Sequence, residues 1–258
     1  MWRRLLTLSA VMLVGITLPV SAHASSSTRF DWTGVVGDMQ PRSSTVTLYV
    51  GAVAETILWT PSTQITGGTL AALTPGTIVE VPGQLTSSAN VATAIRILRE
   101  ATSTSKAKAA TLTGSVMRVA SSGVWIALFT ASGRVDVTTQ APNGLTPTII
   151  PGQVVTFKGV QLGSAFSASD ASFLPVPPAL RLKSKPAGSK TTLVAVAVAG
   201  QRDLWEIWTA TGFIAVTLDP ATIATGPLIT VGQKLTITGI ATGSQLWATS
   251  VATASSDN

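Results

Sequence analysis

From residue 29 onward, short runs of alternating apolar and polar residues follow one another, with Gly and Pro between them. Runs such as STVTLYV and GVWIALFT are rich in Val, Ile, Thr and Ala and poor in charge. Successive side chains of a β-strand point to opposite faces of a sheet, so this alternation is typical of strands that pack on one face. The pattern predicts an all-β protein.

One phrase occurs three times in the chain, as LTPGTIVEVPGQL, IIPGQVVTFKGVQ and ITVGQKLTITGIA. Each copy holds two glycines seven residues apart, and the copies lie 76 and 80 residues from one another, which is the length of a small domain. The first glycine predicts a tight turn, and the second predicts a bulge or bend with positive φ. The pairs are Gly76 and Gly83, Gly152 and Gly159, and Gly232 and Gly239.

The elements around each phrase come in one order: three strands, an irregular link that can end in a short helix, and two more strands. This order predicts three tandem five-stranded OB-like β-barrels, with a β-sandwich or an SH3-like barrel as the alternative. The predicted barrels span 29–100, 111–175 and 191–254. The linkers are 101–110 and 176–190, and the second holds several prolines and lysines, which predicts an extended spacer.

The N-terminus has the pattern of a secretory signal peptide. Arg3 and Arg4 precede an apolar run over 5–18, and Ala22 and Ala24 supply small residues for cleavage. A retained membrane anchor is the alternative, but the run is shorter than the roughly 20 residues that span a bilayer. We expect cleavage after residue 24, an exported chain in the periplasm or at the cell surface, and no transmembrane segment after cleavage.

The composition excludes several kinds of chemistry. His23 is the only histidine and leaves with the signal peptide, and the chain has no cysteine. A Ser-His-Asp triad, a thiol nucleophile, a disulfide and the common zinc sites are therefore excluded. Acidic residues do not form a calcium-loop motif. We expect no metal, no cofactor and no catalytic residues.

Tryptophan supplies the candidate binding residues. In the run RDLWEIWTA, strand alternation places Glu206 and Trp208 on one face and Trp205 on the other. Glu206 beside Trp208 suggests a polar face with one flat ring, on which a glycan or extended polymer can stack. Trp125 and Trp247 are further candidates. The alternative interpretation is that these rings fill the cores of the barrels.

Two other functions are open to small barrels. A glycosidase needs two carboxylates flanking a cleft, and alternation places Asp203 and Glu206 on opposite strand faces. A single-stranded nucleic-acid binder needs cations interleaved with aromatic rings, but the lysines and arginines cluster in the linkers. Removal of the signal also lowers the formal net charge from +6 to +4. We therefore expect no nucleic-acid partner.

The pattern TGVV…LAALTPGTIVEVPGQL…ATAIRIL resembles a bacterial family of secreted proteins, of unknown function, built from tandem small OB-like β-domains. The later copies keep the central glycine pair but depart elsewhere, with Ala195 where the opening glycine is expected. The shared motifs are structural, so the resemblance implies no catalytic residues. The sequence predicts an exported, non-catalytic binding or scaffolding protein of the bacterial envelope, whose partner is an envelope polymer or protein. A secreted hydrolase that uses carboxylates is the alternative.

Overall fold

The computed structural model describes residues 28–103, 105–121, 124–139 and 148–254. The predicted signal peptide over 1–24 lies outside the described residues, as do the last four residues. No helix in the described ranges is long and apolar enough to cross a membrane. The strands, in chain order, are β1 (Thr28–Gln40), β2 (Thr45–Val50), β3 (Val53–Leu58), β4 (Gln64–Thr66), β5 (Ile78–Leu85), β6 (Asn90–Ala92), β7 (Ala94–Arg99), β8 (Lys108–Val119), β9 (Trp125–Thr130), β10 (Gly133–Thr138), β11 (Val154–Leu162), β12 (Ala165–Leu174), β13 (Lys190–Gln201), β14 (Leu204–Thr209), β15 (Gly212–Leu218), β16 (Lys234–Thr242) and β17 (Gln245–Thr253).

These strands form three successive sheets, each closed into a ring. Barrel 3 closes in the order β13-β14-β15-β17-β16, and barrel 2 in the equivalent order. In barrel 1 the ring β1-β2-β3-β6-β5 closes through pairing of β1 with β5, and β7 and β4 extend it. The third and last strands of each ring pair in parallel. All other strands that are neighbours around a ring pair antiparallel. This is the topology of an OB fold, so the prediction of an all-β protein with three tandem OB-like barrels is confirmed.

Several element bounds differ from those that the sequence pattern indicated. The last strand of barrel 1 is split into β6 and β7, and β8 already begins at Lys108, inside the predicted linker over 101–110. A turn of 3-10 helix, Leu70–Ala72, follows β4, and helix α1 (Pro220–Thr225) occupies the equivalent link in barrel 3. The carboxylate of Asp219 caps α1 by accepting from the Ala221 N–H at 3.0 Å.

The repeated turn docks in the same way in all three barrels. The first glycine of each pair has positive φ, at 95°, 84° and 85° in chain order. Its N–H donates to a carbonyl oxygen of the first strand of its own barrel, where that strand bulges against the second strand. The donor–acceptor pairs are Gly76 to Val36 at 2.8 Å, Gly152 to Val116 at 2.7 Å, and Gly232 to Ala197 at 2.7 Å. The repeated sequence thus attaches each turn to the bulge in the first strand of its own barrel.

The second glycine of each pair is required for a different reason from the predicted one. Gly83, Gly159 and Gly239 do not have positive φ, so that prediction is wrong. Gly159 and Gly239 each lie directly after a register shift in their strand. A Cβ atom at the three positions would lie 2.5, 2.0 and 2.2 Å from the backbone oxygens of Val91, Ser167 and Trp247. Close approach of the neighbouring strand therefore excludes a side chain.

Barrels 1 and 2 are in direct contact, although the sequence suggested separate units on linkers. Val35 and Ile78 of barrel 1 pack with Leu162 of barrel 2 in a cluster distinct from either barrel core. Arg99 of β7 pairs with the buried Asp136 of β10. The predicted linker is too short and too well bonded to separate the two barrels, because its hydroxyl groups bond to the β11–β12 turn.

Barrels 2 and 3 meet through their repeated turns. The Cβ position of Gly152 lies 3.2 Å from the Val198 carbonyl oxygen, and that of Gly232 lies 3.3 Å from the Met117 carbonyl oxygen. Met117 and Val198 are the bulge residues of the first strands of barrels 2 and 3. Each turn therefore packs on the bulge of the other barrel, and the contact is reciprocal.

Candidate binding cleft

The 175–189 stretch, between β12 and β13, lies on barrel 3 instead of forming a free spacer. Arg181 pairs with both carboxylate oxygens of Asp203, through Nη1 and Nη2, and the Nη2–Oδ1 distance is 2.8 Å. The amide of Gln245 donates to the Leu180 carbonyl at 3.0 Å, and the Leu182 N–H donates to Thr217 Oγ1 at 3.0 Å. The sequence predicted an extended spacer over 176–190, and these contacts attach that segment to barrel 3.

A cleft of about 620 Å³ lies between this segment and barrel 3. One wall is apolar and consists of Val176, Pro177, Pro178 and Ala179. The opposite wall is the end of β13, the β13–β14 turn and the start of β14, over residues 199–204, together with Glu206. Arg202 in that turn has φ of 54°, in the left-handed region that non-glycine residues rarely adopt. The cleft thus has walls from two separate parts of the chain.

Glu206 is a buried acid in this cleft. The residue is 3% exposed, and its Oε2 atom has no hydrogen-bond partner among the described residues. Burial raises the pKa of the Glu206 carboxyl to about 7, because desolvation disfavours the charged form. Near neutral pH, this carboxyl is therefore present in both its neutral and its ionised form.

The other charged residues that line the cleft are Arg181, Arg202 and Asp203. Hydrogen bonds from Arg181 lower the pKa of Asp203. The cleft therefore combines one ionised carboxylate that is already paired, two guanidinium groups, and one buried acid whose Oε2 atom has no hydrogen-bond partner in the described part of the chain. Strand alternation predicted Asp203 and Glu206 on opposite faces, but Asp203 precedes β14, in the turn, and both residues line the same cleft.

Trp208 occupies a different position from the one expected of a stacking platform. Trp208 is half-buried and does not line the cleft. Its ring packs edge-on against the Phe213 ring, with 4.9 Å between the ring centroids. Its Nε1 atom is buried without a hydrogen-bond partner among the described residues. Trp205, on the other face of β14, is 7% exposed and belongs to the core of barrel 3. The alternation thus separated the two rings correctly, but Trp208 does not lie free on the surface.

Trp125 and Trp247, the remaining predicted site residues, are also half-buried. Trp125 begins β9 in barrel 2, and Trp247 lies on β17 in barrel 3. The Nε1–H of Trp247 donates to Asp219 Oδ2 at 3.0 Å, which ties the ring to the N-terminal cap of α1. The structure places Trp125, Trp208 and Trp247 on separate strands, and none of them lines the cleft.

Glu206 is the one predicted ligand-binding residue that the cleft contains. The opposing wall, over 176–179, did not stand out in the sequence, because a proline-rich stretch is equally typical of a free linker. Within the described ranges, no three or more His, Cys, Asp or Glu side chains are grouped so as to hold a metal ion.

No family model matches the chain, and no curated protein is significantly similar to it. Two solved structures show distant similarity. A multidomain protein with nucleic acid binding domains from Streptococcus pneumoniae is 9% identical, with 87% of this chain and 73% of that chain covered and a TM-score of 0.28. The CSD456 structure of Drosophila Unr is 14% identical, with 89% and 99% covered and a TM-score of 0.24. Similarity at this level indicates no shared function.

Proposed function

We propose that this chain is an exported, non-catalytic binding or scaffolding protein of the bacterial envelope, which binds an envelope polymer such as a glycan. The observation that carries the proposal is the cleft on barrel 3. One of its lining residues is Glu206, whose buried Oε2 atom has no hydrogen-bond partner among the described residues, and burying a polar group without a hydrogen bond is unfavourable. A ligand that enters the cleft and bonds to Glu206 removes that penalty.

The contacts between barrels support the scaffolding part of the proposal. The apolar cluster between barrels 1 and 2 and the reciprocal turns between barrels 2 and 3 hold neighbouring barrels against each other. Small domains joined only by linkers move independently, whereas packed apolar contacts restrain them. The cleft thereby lies on a barrel that is held against its neighbour.

A carboxylate-dependent hydrolase is the second candidate, and one observation favours it. Asp203 and Glu206 line one cleft, and their pKa values are shifted in opposite directions. Such a pair is typical of an acid and a base in glycoside hydrolysis. However, Arg181 occupies both oxygens of Asp203, so this carboxylate is not free to activate water or to attack a sugar. The binder therefore fits the geometry better.

Co-sedimentation with insoluble cell-wall polysaccharide tests both candidates in one experiment. Binding without release of reducing sugars supports the binder. Release of reducing sugars by the wild type, but not by Glu206→Gln, supports the hydrolase. Glu100→Gln, at an exposed acid of barrel 1, is the matched control. The mass of the protein recovered from the periplasm or medium tests export, and a chain that still begins at Met1 would contradict it.

A further inference from the structure

We infer that the cleft between the 176–181 segment and barrel 3 is a site for an uncharged, hydroxylated ring ligand, a saccharide, whose hydroxyl group bonds to Glu206. The inference rests on the proposed function and specifies its site and the chemistry of its ligand.

The need for a polar ligand group comes from the surroundings of Glu206. Glu206 lines the cleft and is only 3% exposed, and its buried Oε2 atom has no donor among the described residues. Buried polar atoms of folded proteins nearly always have a partner, so an unmet one in a cleft indicates where a ligand group belongs. The neighbouring Asp203 shows the contrast, since both of its oxygens bond to Arg181.

The charges of the cleft decide between three kinds of ligand. An ammonium group would pair with ionised Glu206 but would also meet the guanidinium groups of Arg181 and Arg202. An anion would suit Arg202 but would be repelled by Asp203, and also by Glu206 once that residue ionises. A hydroxyl group donates to the carboxylate and accepts from the neutral acid, so it bonds to Glu206 in both of its forms.

The apolar wall indicates a ligand with a flat apolar side. Pro177 and Pro178, flanked by Val176 and Ala179, line the cleft together with Glu206. Binding sites commonly combine an apolar surface with a few polar groups that fix orientation. A pyranose ring has this character, because its C–H face is apolar and its rim carries hydroxyl groups. The cleft volume of about 620 Å³ is within the range of small-molecule sites.

The test compares three classes of probe on the wild type, Glu206→Gln and Glu206→Leu. The probes are two uncharged oligosaccharides, cellotriose and chitotriose, with n-butylammonium and acetate as charged alternatives. Binding is followed by chemical-shift changes of the backbone amides in β14 and the β13–β14 turn. We expect at least one oligosaccharide to bind the wild type, with less than a threefold change in affinity between pH 6 and pH 8. Glu206→Gln should keep affinity within about threefold, because an amide also donates and accepts, whereas Glu206→Leu should lose at least tenfold.

The alternative outcomes each overturn the inference. Affinity for n-butylammonium that rises with pH and is lost in Glu206→Gln would assign a cation site. Affinity for acetate that falls as pH rises would assign an anion site. Failure of both oligosaccharides to bind overturns the hydroxyl ligand, while co-sedimentation with cell-wall polymer that persists in Glu206→Leu would leave the proposed function intact. Glu100→Gln checks that effects of substitution come from the cleft, and an amide spectrum of barrel 3 that changes only for residues around position 206 shows that Glu206→Leu is folded.

Discussion

At the scale of single residues, the close approach of neighbouring backbone and the burial of side chains explain features that the residue type alone does not. Gly159 and Gly239 are required because a neighbouring carbonyl lies where a Cβ atom would be, and not because of their φ angles. Glu206 is a charged residue type that nevertheless lies almost fully buried. Both features follow from a neighbouring stretch of chain that comes unusually close.

The raised pKa of Glu206 predicts a pH dependence of stability. Its folded-state pKa of about 7 lies above the ordinary 4.5, so folding favours the protonated carboxyl. The stabilisation is fully present below pH 4.5 and is lost as pH rises through 7, by up to about 3 kcal/mol. Hydrogen exchange of β14 and β15 amides at pH 5 and pH 8 measures it. The stability of the wild type should fall relative to that of Glu206→Gln, and parallel pH curves would show that Glu206 is solvated.

At the scale of elements, the 175–189 stretch is the least regular part of the described chain, and yet it forms one wall of the cleft. The pair between Arg181 and Asp203 anchors its middle, with a side-chain bond from Gln245 beside it. An exposed ion pair contributes little to global stability, but it can hold a segment that has few other contacts.

Breaking this anchor should release the segment. Asp203→Asn removes the charge that holds Arg181, so we expect trypsin to cut after Arg181 or Lys183 several-fold faster than in the wild type. Arg96→Ala, which breaks the exposed pair with Glu80 on barrel 1, is the matched control and should not change these cuts. Fragment masses over a time course measure the rates. Equal rates in wild type and Asp203→Asn would mean that other contacts hold the segment.

The same stretch shows where prediction from sequence succeeds and where it stops. Alternation and the glycine pairs predicted the barrels, since strand period and turn residues are local properties. Alternation also separated Trp205 from Glu206 on β14. It could not predict that residues 176–179 lie beside β14, because the contacts that hold this segment on barrel 3 join residues far apart in the chain, such as Arg181 and Asp203, 22 residues apart. The split of β6 from β7 was missed because both strands share one uninterrupted apolar pattern.

At the scale of the whole molecule, neighbouring barrels share buried surface. Leu162 of β11 is fully buried, but it packs with Val35 and Ile78 of barrel 1 and not in the core of barrel 2. Its contacts therefore belong to the joint between the barrels. A smaller side chain at Leu162 would weaken that joint without leaving a cavity in the core of either barrel.

Leu162→Ala should uncouple barrels 1 and 2. Loss of a fully buried leucine costs about 2–5 kcal/mol, and here the loss falls on the joint. We expect calorimetry to show barrels 1 and 2 unfolding in separate transitions where the wild type unfolds them together. Leu246→Ala, in the core of barrel 3, is the control and should lower only the transition of that barrel. If Leu162→Ala left the barrel 1 transition unchanged, the joint would carry no coupling.

The two joints also give the array a direction. Barrel 1 places the Gly76 turn against Leu162 and Ser103, whereas the repeated turn of barrel 2 packs on barrel 3. A one-way contact of this kind can be repeated from one module to the next, in a ring or in an open array, whereas a reciprocal contact is complete with two partners. In barrels 2 and 3 each repeated turn already packs on the other barrel, so neither turn is free to contact a further module. An array lengthened by duplication would then gain modules on the side of barrel 1, and the cleft would stay at the closed end.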